Sequence, residues 1–261
     1  MKIIDSHCHL DMCEENALKV FSTECHLHGV NTIGTRWSQR HVQKELVAFY
    51  KDEDIRVWGS IGTHPNYVQE EPLPSLQEML EDLNSDGIIG VGETGLDYFR
   101  SSEETKAHQF KSFRRHIEAS RASGLPLIIH CRQAGGDVLS ILEGEMERGA
   151  FPFLIHCFAE NLEFATKIEK LGGYISFSGL VTFPKCDPIR EVAQSFPSDR
   201  ILIETDSPFL APVPNRGKPN VPAWTFLVAE KIAQLREVSL EDIASQTTEN
   251  FYRLFKKAVP S

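Results

Sequence analysis

The sequence predicts an α/β protein of the (β/α)8, or TIM-barrel, class. Short β-branched runs recur along it, eight in all and roughly 20 to 40 residues apart, with helical patterns between them. The 261 residues lie near the upper size for one hydrophobic core, and 41% are hydrophobic. No linker or low-complexity tract divides them, so one domain over 1–261 is expected. A doubly wound open sheet is the competing arrangement. No Gly-x-Gly-x-x-Gly follows the first run, which removes that fold's commonest functional marker.

In chain order the runs fall at 2–5, 31–35, 56–61, 87–92, 126–129, 152–155, 173–177 and 201–204. After the fourth, Ser101-x-x-Glu104 has the form of a capping box; Phe110, Phe113 and Ile117 follow at helical spacing, and Gly124 ends the helix. Between the sixth and seventh, Leu162, Ala165, Ile168 and Leu171 make a second stripe before Gly172-Gly173. Another helix begins near Pro222 with Val228, Ile232 and Leu235 inward, and a last one carries Phe251, Leu254 and Phe255. These stripes read as core packing.

The formal net charge of -10 argues against broad electrostatic binding of nucleic acid, which needs basic surface. It leaves room for a nucleic-acid substrate held locally by cations and a few arginines. The six cysteines form no C-x-x-C pair, as expected in a reducing compartment. No basic-then-apolar N-terminal signal and no bilayer-length apolar stretch is present, so a soluble, cytoplasmic monomer is expected.

Chemistry collects where the runs end. The first leads into His7-Cys8-His9, the third into His64, the fourth into Glu93, the fifth into His130, the sixth into His156 and the eighth into Glu204-Thr205-Asp206. In a barrel those ends share one mouth, where catalytic groups sit. Strand alternation lets His7 and His9 face the same way while Cys8 points aside; it also turns Cys131 and Cys157 away from His130 and His156. Imidazoles with carboxylates suit Zn, Mn, Ni or Fe, and carboxylates with waters suit Mg. Six ligands exceed one tetrahedral site with an open position. Two divalent cations sharing Glu93 fit better: His7, His9, Glu93 and Asp206 for one, Glu93, His130 and His156 for the other. Such pairs, about 3.5–4 Å apart, clamp both oxygens of a phosphoryl displacement.

Seven segments carry a resemblance: D-S-H-C-H-L-D (5–11), G-T-H-P (62–65), G-E-T-G-L-D-Y (92–98), P-L-I-I-H-C-R (126–132), H-C-F (156–158), E-T-D-S-P-F-L-A-P (204–212) and R-G-K-P-N (216–220). In this order they resemble the TatD family of metal-dependent deoxyribonucleases, within the amidohydrolase-like barrels. The resemblance implies two divalent metals and hydrolysis of DNA phosphodiester bonds, often from the 3′ end. It makes His7, His9, Glu93, His130, His156 and Asp206 the metal ligands, and it sets His64 against the scissile phosphate or an attacking water. Catalysis is then expected of Glu93, Asp206 and His64. Ala159-Glu160 departs from the small Ser-Gly-type pair common after H-C-F, and Glu160 adds negative charge near the site. Arg132, two residues past His130, is expected to neutralise a substrate phosphate, and Arg216 and Lys218 to grip the DNA backbone. Glu204 is expected to orient a ligand from behind. The rival readings are an amidohydrolase or deaminase of a small molecule and a non-hydrolytic metal-binding protein.

Overall fold

The structure is a computed structural model and describes residues 1–20, 25–99 and 101–259. Eight parallel strands pair in chain order: β1 (Ile3–Cys8), β2 (Leu27–Ile33), β3 (Arg56–Ile61), β4 (Ile88–Asp97), β5 (Leu127–Arg132), β6 (Phe153–Ile155), β7 (Tyr174–Phe177) and β8 (Ile201–Ile203). Around them run α1 (Arg40–Phe49), α2 (Leu76–Leu83), α3 (Glu103–Ser123), α4 (Gly135–Glu147), α5 (Leu162–Lys170), α6 (Asp187–Ser195), α7 (Thr225–Arg236) and α8 (Leu240–Leu254). The result is a nearly closed (β/α)8 barrel.

The strands alternate between two apolar layers. Ile3, Leu127, Ile129, Phe153, Ile155, Ile201 and Ile203 pack outward with helix residues such as Phe113, Ile117 and Ile168. Ile4, Ile89, Ile128, Leu154 and Leu202 pack inward against Phe251 and Phe255 at the end of α8. That inward layer plugs one end of the barrel, which leaves the opposite, C-terminal end to carry the site.

The seam between the last strand and the first closes largely through side chains. The buried Asp5 carboxylate accepts the Thr205 N–H at 2.9 Å and the Thr205 hydroxyl at 2.5 Å. Ser6 donates its hydroxyl to the Ile203 carbonyl at 2.9 Å. Two backbone bonds complete it, Asp206 N–H to the His7 carbonyl at 2.9 Å and His9 N–H to the Ser207 carbonyl at 2.8 Å.

The second strand lies at Leu27–Ile33, earlier than the expected 31–35, and other elements also depart from the sequence expectation. The fourth strand does not stop at Gly92 but runs on to Asp97, because its ladder with β5 continues through Gly95↔His130 and Asp97↔Arg132. Gly95 permits this approach: its φ is +131°, and a Cβ there would lie 2.1 Å from the His130 carbonyl oxygen. The cap of α3 is Ser102, whose side chain accepts the Thr105 N–H; the Ser101 hydroxyl is already spent on the Asp97 carbonyl. Gly124 ends that helix in the left-handed conformation, with φ +73°. In β1, strict alternation from the inward Ile4 would aim position 6 at the interior. The pairing with β2 shifts register between Asp5 and Cys8, which resets the phase and aims His7 inward. No disulfide joins the cysteines, and among the described residues no helix is long and apolar enough to cross a membrane.

Candidate active site

At the open end, β1, β4, β5, β6 and β8 deliver His7, His9, Glu93, His130, His156 and Asp206 to one cluster. On β5, β6 and β8 the inward phase set by Ile128, Leu154 and Leu202 carries on, two residues at a time, to His130, His156, Glu204 and Asp206. Glu93 lies at the centre. Its Oε2 is 3.6 Å from His7 Nε2 and 3.9 Å from His9 Nε2. Its Oε1 is 2.9 Å from His130 Nδ1, 2.6 Å from His156 Nε2 and 3.6 Å from His64 Nε2. Asp206 Oδ1 is 3.3 Å from His9 Nε2 and 3.7 Å from His7 Nε2. The His7 and His156 rings stack 3.9 Å apart, nearly parallel.

These residues fit divalent cations. Two donors on one tetrahedral ion of this ligand type lie roughly 3.4 Å apart. The four separations among His7, His9, Glu93 Oε2 and Asp206 Oδ1 that involve a histidine span 3.3 to 3.9 Å. Both His7 ring nitrogens and Glu93 Oε2 are buried with no hydrogen-bond partner, an expensive arrangement unless something positive sits among them. Ligating groups of three also form from His7, His156 and Asp206, and from His64, Glu93 and His130.

Behind the cluster, His9 and His130 each meet an acceptor with the ring nitrogen that faces away from it, the pattern that fixes a ligand histidine's tautomer. His9 Nδ1 donates to the Ile33 carbonyl at 2.9 Å. His130 Nε2 donates to Asp97 Oδ2 at 3.1 Å. His156 Nδ1 faces Glu204 Oε1 at 3.5 Å, and Ser176 holds the other oxygen of Glu204. His64 differs: its Nδ1 accepts the Asn66 N–H at 3.0 Å, so the neutral ring carries its proton on Nε2. As a neutral ring it therefore presents a hydrogen-bond donor to the cluster, unlike His7, His9, His130 and His156, the expected ligands.

The electrostatics follow from burial and close pairing. Burial alone would raise Glu93, but the charges of His156 and His64 and the hydrogen bonds from His130 and His156 hold it well below the usual carboxylate range. Burial opposes charge on His9 too, yet Asp206 lifts it to about 9. His130 and His156 are raised against burial by Asp97 and Glu93, and by Glu93 and Glu204, respectively. Burial, reinforced by the neighbouring His156, lowers His7, and burial takes His64 to about 3. Glu93 and Asp206 are thus anionic at neutral pH, and a cation entering the cluster displaces protons from the histidines.

The cluster floors a cavity of about 570 Å³ that is also lined by Asn66, Tyr67, Asp97 and Arg132 on one side and by Met12, Leu180, Phe209 and Leu210 on the other. Arg132 is exposed at this rim, its guanidinium 4.0 Å over the Phe99 ring. Arg216 and Lys218 do not line the cavity: Arg216 stacks over Phe183 at 4.2 Å, and Lys218 donates to Asn215 Oδ1 at 3.3 Å. Glu160 turns aside toward the Cys131 thiol at 3.7 Å and the start of α4, and Ala159 takes the lining position. Both Cys131 and Cys157 line the cavity, contrary to the alternation argument. For Cys157 the reason is plain: β6 has ended at Ile155, and Cys157 adopts φ +45°. Asp97 was not anticipated as a site residue. Its signal was present, since 93, 95 and 97 share a strand face once the fourth strand is extended.

Comparison with known proteins agrees with this geometry. The model of the TatD-related DNase family matches residues 4–256. The uncharacterized metal-dependent hydrolase YcfH of Escherichia coli K12 is 39% identical over 98% of this chain and 96% of its own length. Its counterpart YabD of Bacillus subtilis is 41% identical over 77% of this chain and 78% of its own. Among solved structures, the TatD homologue YjjV of Escherichia coli K12 superposes with a TM-score of 0.87 at 25% identity, covering 99% of this chain and 98% of that one. With the family model matching nearly its whole length and its barrel superposing on a family homologue, the chain is a member of the TatD family of metal-dependent hydrolases.

Proposed function

We propose that this chain hydrolyses DNA phosphodiester bonds, as an exodeoxyribonuclease that works from the 3′ end with two divalent cations. The observation that carries this is the division of Glu93, one oxygen turned to His7 and His9 and the other to His130 and His156. A single carboxylate so placed could serve two cations, which would suit a phosphodiester, where attacking and leaving oxygens both need charge. His7, His9, Asp206 and Glu93 Oε2 would hold one, and His130, His156 and Glu93 Oε1 the other. Bound there, Mg, Mn, Zn or Ni would supply Lewis-acid charge and make a water more acidic.

The remaining steps fall to side chains. His64 presents its Nε2 proton to a non-bridging phosphate oxygen, and Arg132 meets the phosphate from the rim. Asp206 takes the proton from the attacking water: its side chain is 16% exposed against 2% for Glu93, so it is the carboxylate with access to solvent. Arg216 and Lys218, outside the cavity, would contact DNA further along the strand. The candidate ligands all come from one chain, so the site would be complete in a monomer acting as one domain.

The test is a chelated, nuclease-free preparation reloaded with Mg, Mn, Zn or Co and given end-labelled single- and double-stranded DNA, with Glu93→Ala as control. Stepwise loss of nucleotides from the 3′ end in the wild type alone is expected. DNA left intact under every metal defeats the assignment.

A further inference from the structure

We infer that Phe209 is a stacking platform for the nucleobase of the terminal nucleotide, so that the cavity reads a base as well as a phosphodiester. This rests on the nuclease reading above. The cavity has two unlike walls. Asn66, Asp97 and Arg132 belong to the ends of β3, β4 and β5 and make one polar, while Met12, Leu180 and Phe209 follow β1, β7 and β8 across the barrel mouth and make the other apolar. A nucleotide has the same division, with phosphate on one side of the sugar and an apolar-faced ring on the other.

Phe209 is 52% exposed although it lines a concave site, and Met12 beside it is 40% exposed. Water-exposed apolar side chains gathered on a cavity wall are a binding feature more than a packing one. The Phe209 backbone is also held beside the cluster. Its backbone N–H donates to the Asp206 carbonyl at 2.8 Å, and Asn220 Nδ2 donates to its carbonyl at 2.7 Å. The ring centroid lies 6.2 Å from that of the His9 ring, at an interplanar angle of 68°. Phe209 is therefore tied to the cluster through Asp206 and sits edge-on to the His9 ring. A base on this platform would place the terminal phosphodiester over Glu93, with its phosphate toward His64 and Arg132. Stacking accepts any base, since each has a π face, and is worth roughly 10- to 100-fold in binding.

The experiment compares metal-reloaded wild type, Phe209→Ala and Phe209→Trp on single-stranded oligonucleotides. Their 3′-terminal residue is a normal nucleotide, an abasic sugar, or 2-aminopurine behind a slowly cleaved phosphorothioate. Metal content and thermal melting are measured alongside, since Phe209 is exposed and its variants should fold and load normally. Wild type should prefer the normal end over the abasic end by roughly 10- to 100-fold in kcat/KM. Phe209→Ala should lose that preference and Phe209→Trp keep it. Quenching of 2-aminopurine on binding should vanish in Phe209→Ala alone. Equal cleavage of normal and abasic ends by wild type overturns the proposal while leaving the nuclease reading standing. So does an equal loss on both ends in Phe209→Ala. No cleavage of either end by wild type removes the nuclease reading, and the proposal with it.

Discussion

Replacing Asp97 with Asn should weaken one cation site and spare the other. Asp97 Oδ2 accepts from His130 Nε2 at 3.1 Å, and Oδ1 accepts from the Phe99 N–H at 2.9 Å. With Nε2 committed as a donor, the neutral ring keeps its lone pair on Nδ1, the atom that faces Glu93 Oε1 at 2.9 Å. An asparagine can satisfy only one of these two donors. If its oxygen turns to His130, its amide hydrogens meet the Phe99 N–H. If its nitrogen turns to His130, the ring is driven to the tautomer with its proton on Nδ1, where it blocks ligation. Either mismatch costs about 1–3 kcal/mol, consistent with the roughly 10- to 100-fold seen when the outer partner of a ligand histidine is removed. Calorimetric titration of the chelated protein with Zn or Mn resolves the sites. The expected result is a roughly 10- to 100-fold weaker site at His130 and His156, with the site at His7 and His9 unchanged. Wild-type affinity at both would show that Asp97 does not orient His130. Equal weakening of both would show that the cluster is a single centre.

Glu93→Gln removes the charge shared by both sets of histidines. Wild type at about 100 times Kd should gain about 2.7 kcal/mol of stability from metal, whereas the variant should show no metal-dependent shift in Tm by calorimetry. Asp5→Leu should lower stability by about 2–5 kcal/mol in urea titration, because the Thr205 N–H and hydroxyl are left buried without their acceptor at the seam. His116, fully buried, accepts the Thr63 N–H on Nε2 at 3.1 Å and donates from Nδ1 to the Ser112 carbonyl at 2.8 Å. Burial lowers its pKa to about 4, against about 6.5 when unfolded, so the folded state resists a proton that the unfolded state accepts. Its contribution is complete above the unfolded pKa and is lost as pH falls toward 4, by about 3 kcal/mol. His116→Gln keeps a donor and an acceptor without a titrating group. Urea midpoints of the chelated proteins should therefore lie close together at neutral pH and separate in acid, where wild type alone loses stability; parallel curves would contradict this.

The legible parts of the sequence were those where periodicity runs unbroken. On β5, β6 and β8, alternation from an apolar inward residue places His130, Arg132, His156, Glu204 and Asp206 with no further information. The first strand is different. Its histidines reach the cavity through a register shift, which belongs to the pairing of two strands and leaves no mark on either alone. Asp97 was hidden because two glycines inside G-E-T-G-L-D read as a turn, although Gly95 is there to let β5 approach. The role of His64 could not be read from residue type, since its tautomer is set by a backbone N–H two residues on. Phe209, Arg216 and Lys218 share a loop without periodicity, so only coordinates distinguish the one that lines the cavity from the two that do not.

The seam of the barrel and the candidate metal centre are one construction. Asp206 donates its N–H to the His7 carbonyl, His9 donates to the Ser207 carbonyl, and Asp5 grips Thr205 between them. The residues that close the sheet are thus the immediate neighbours of three candidate ligands, drawn from segments some 200 positions apart in sequence. Contacts that distant form late, because loop closure precedes any compensating gain. A cation bound by His7, His9 and Asp206 should therefore stabilise the closed barrel over any form with β8 detached from β1. Metal should protect the amides of Thr205 and Asp206 from hydrogen exchange more than those of β5. Uniform protection across all eight strands would mean instead that the barrel opens only as a whole, and that metal merely adds to its global stability.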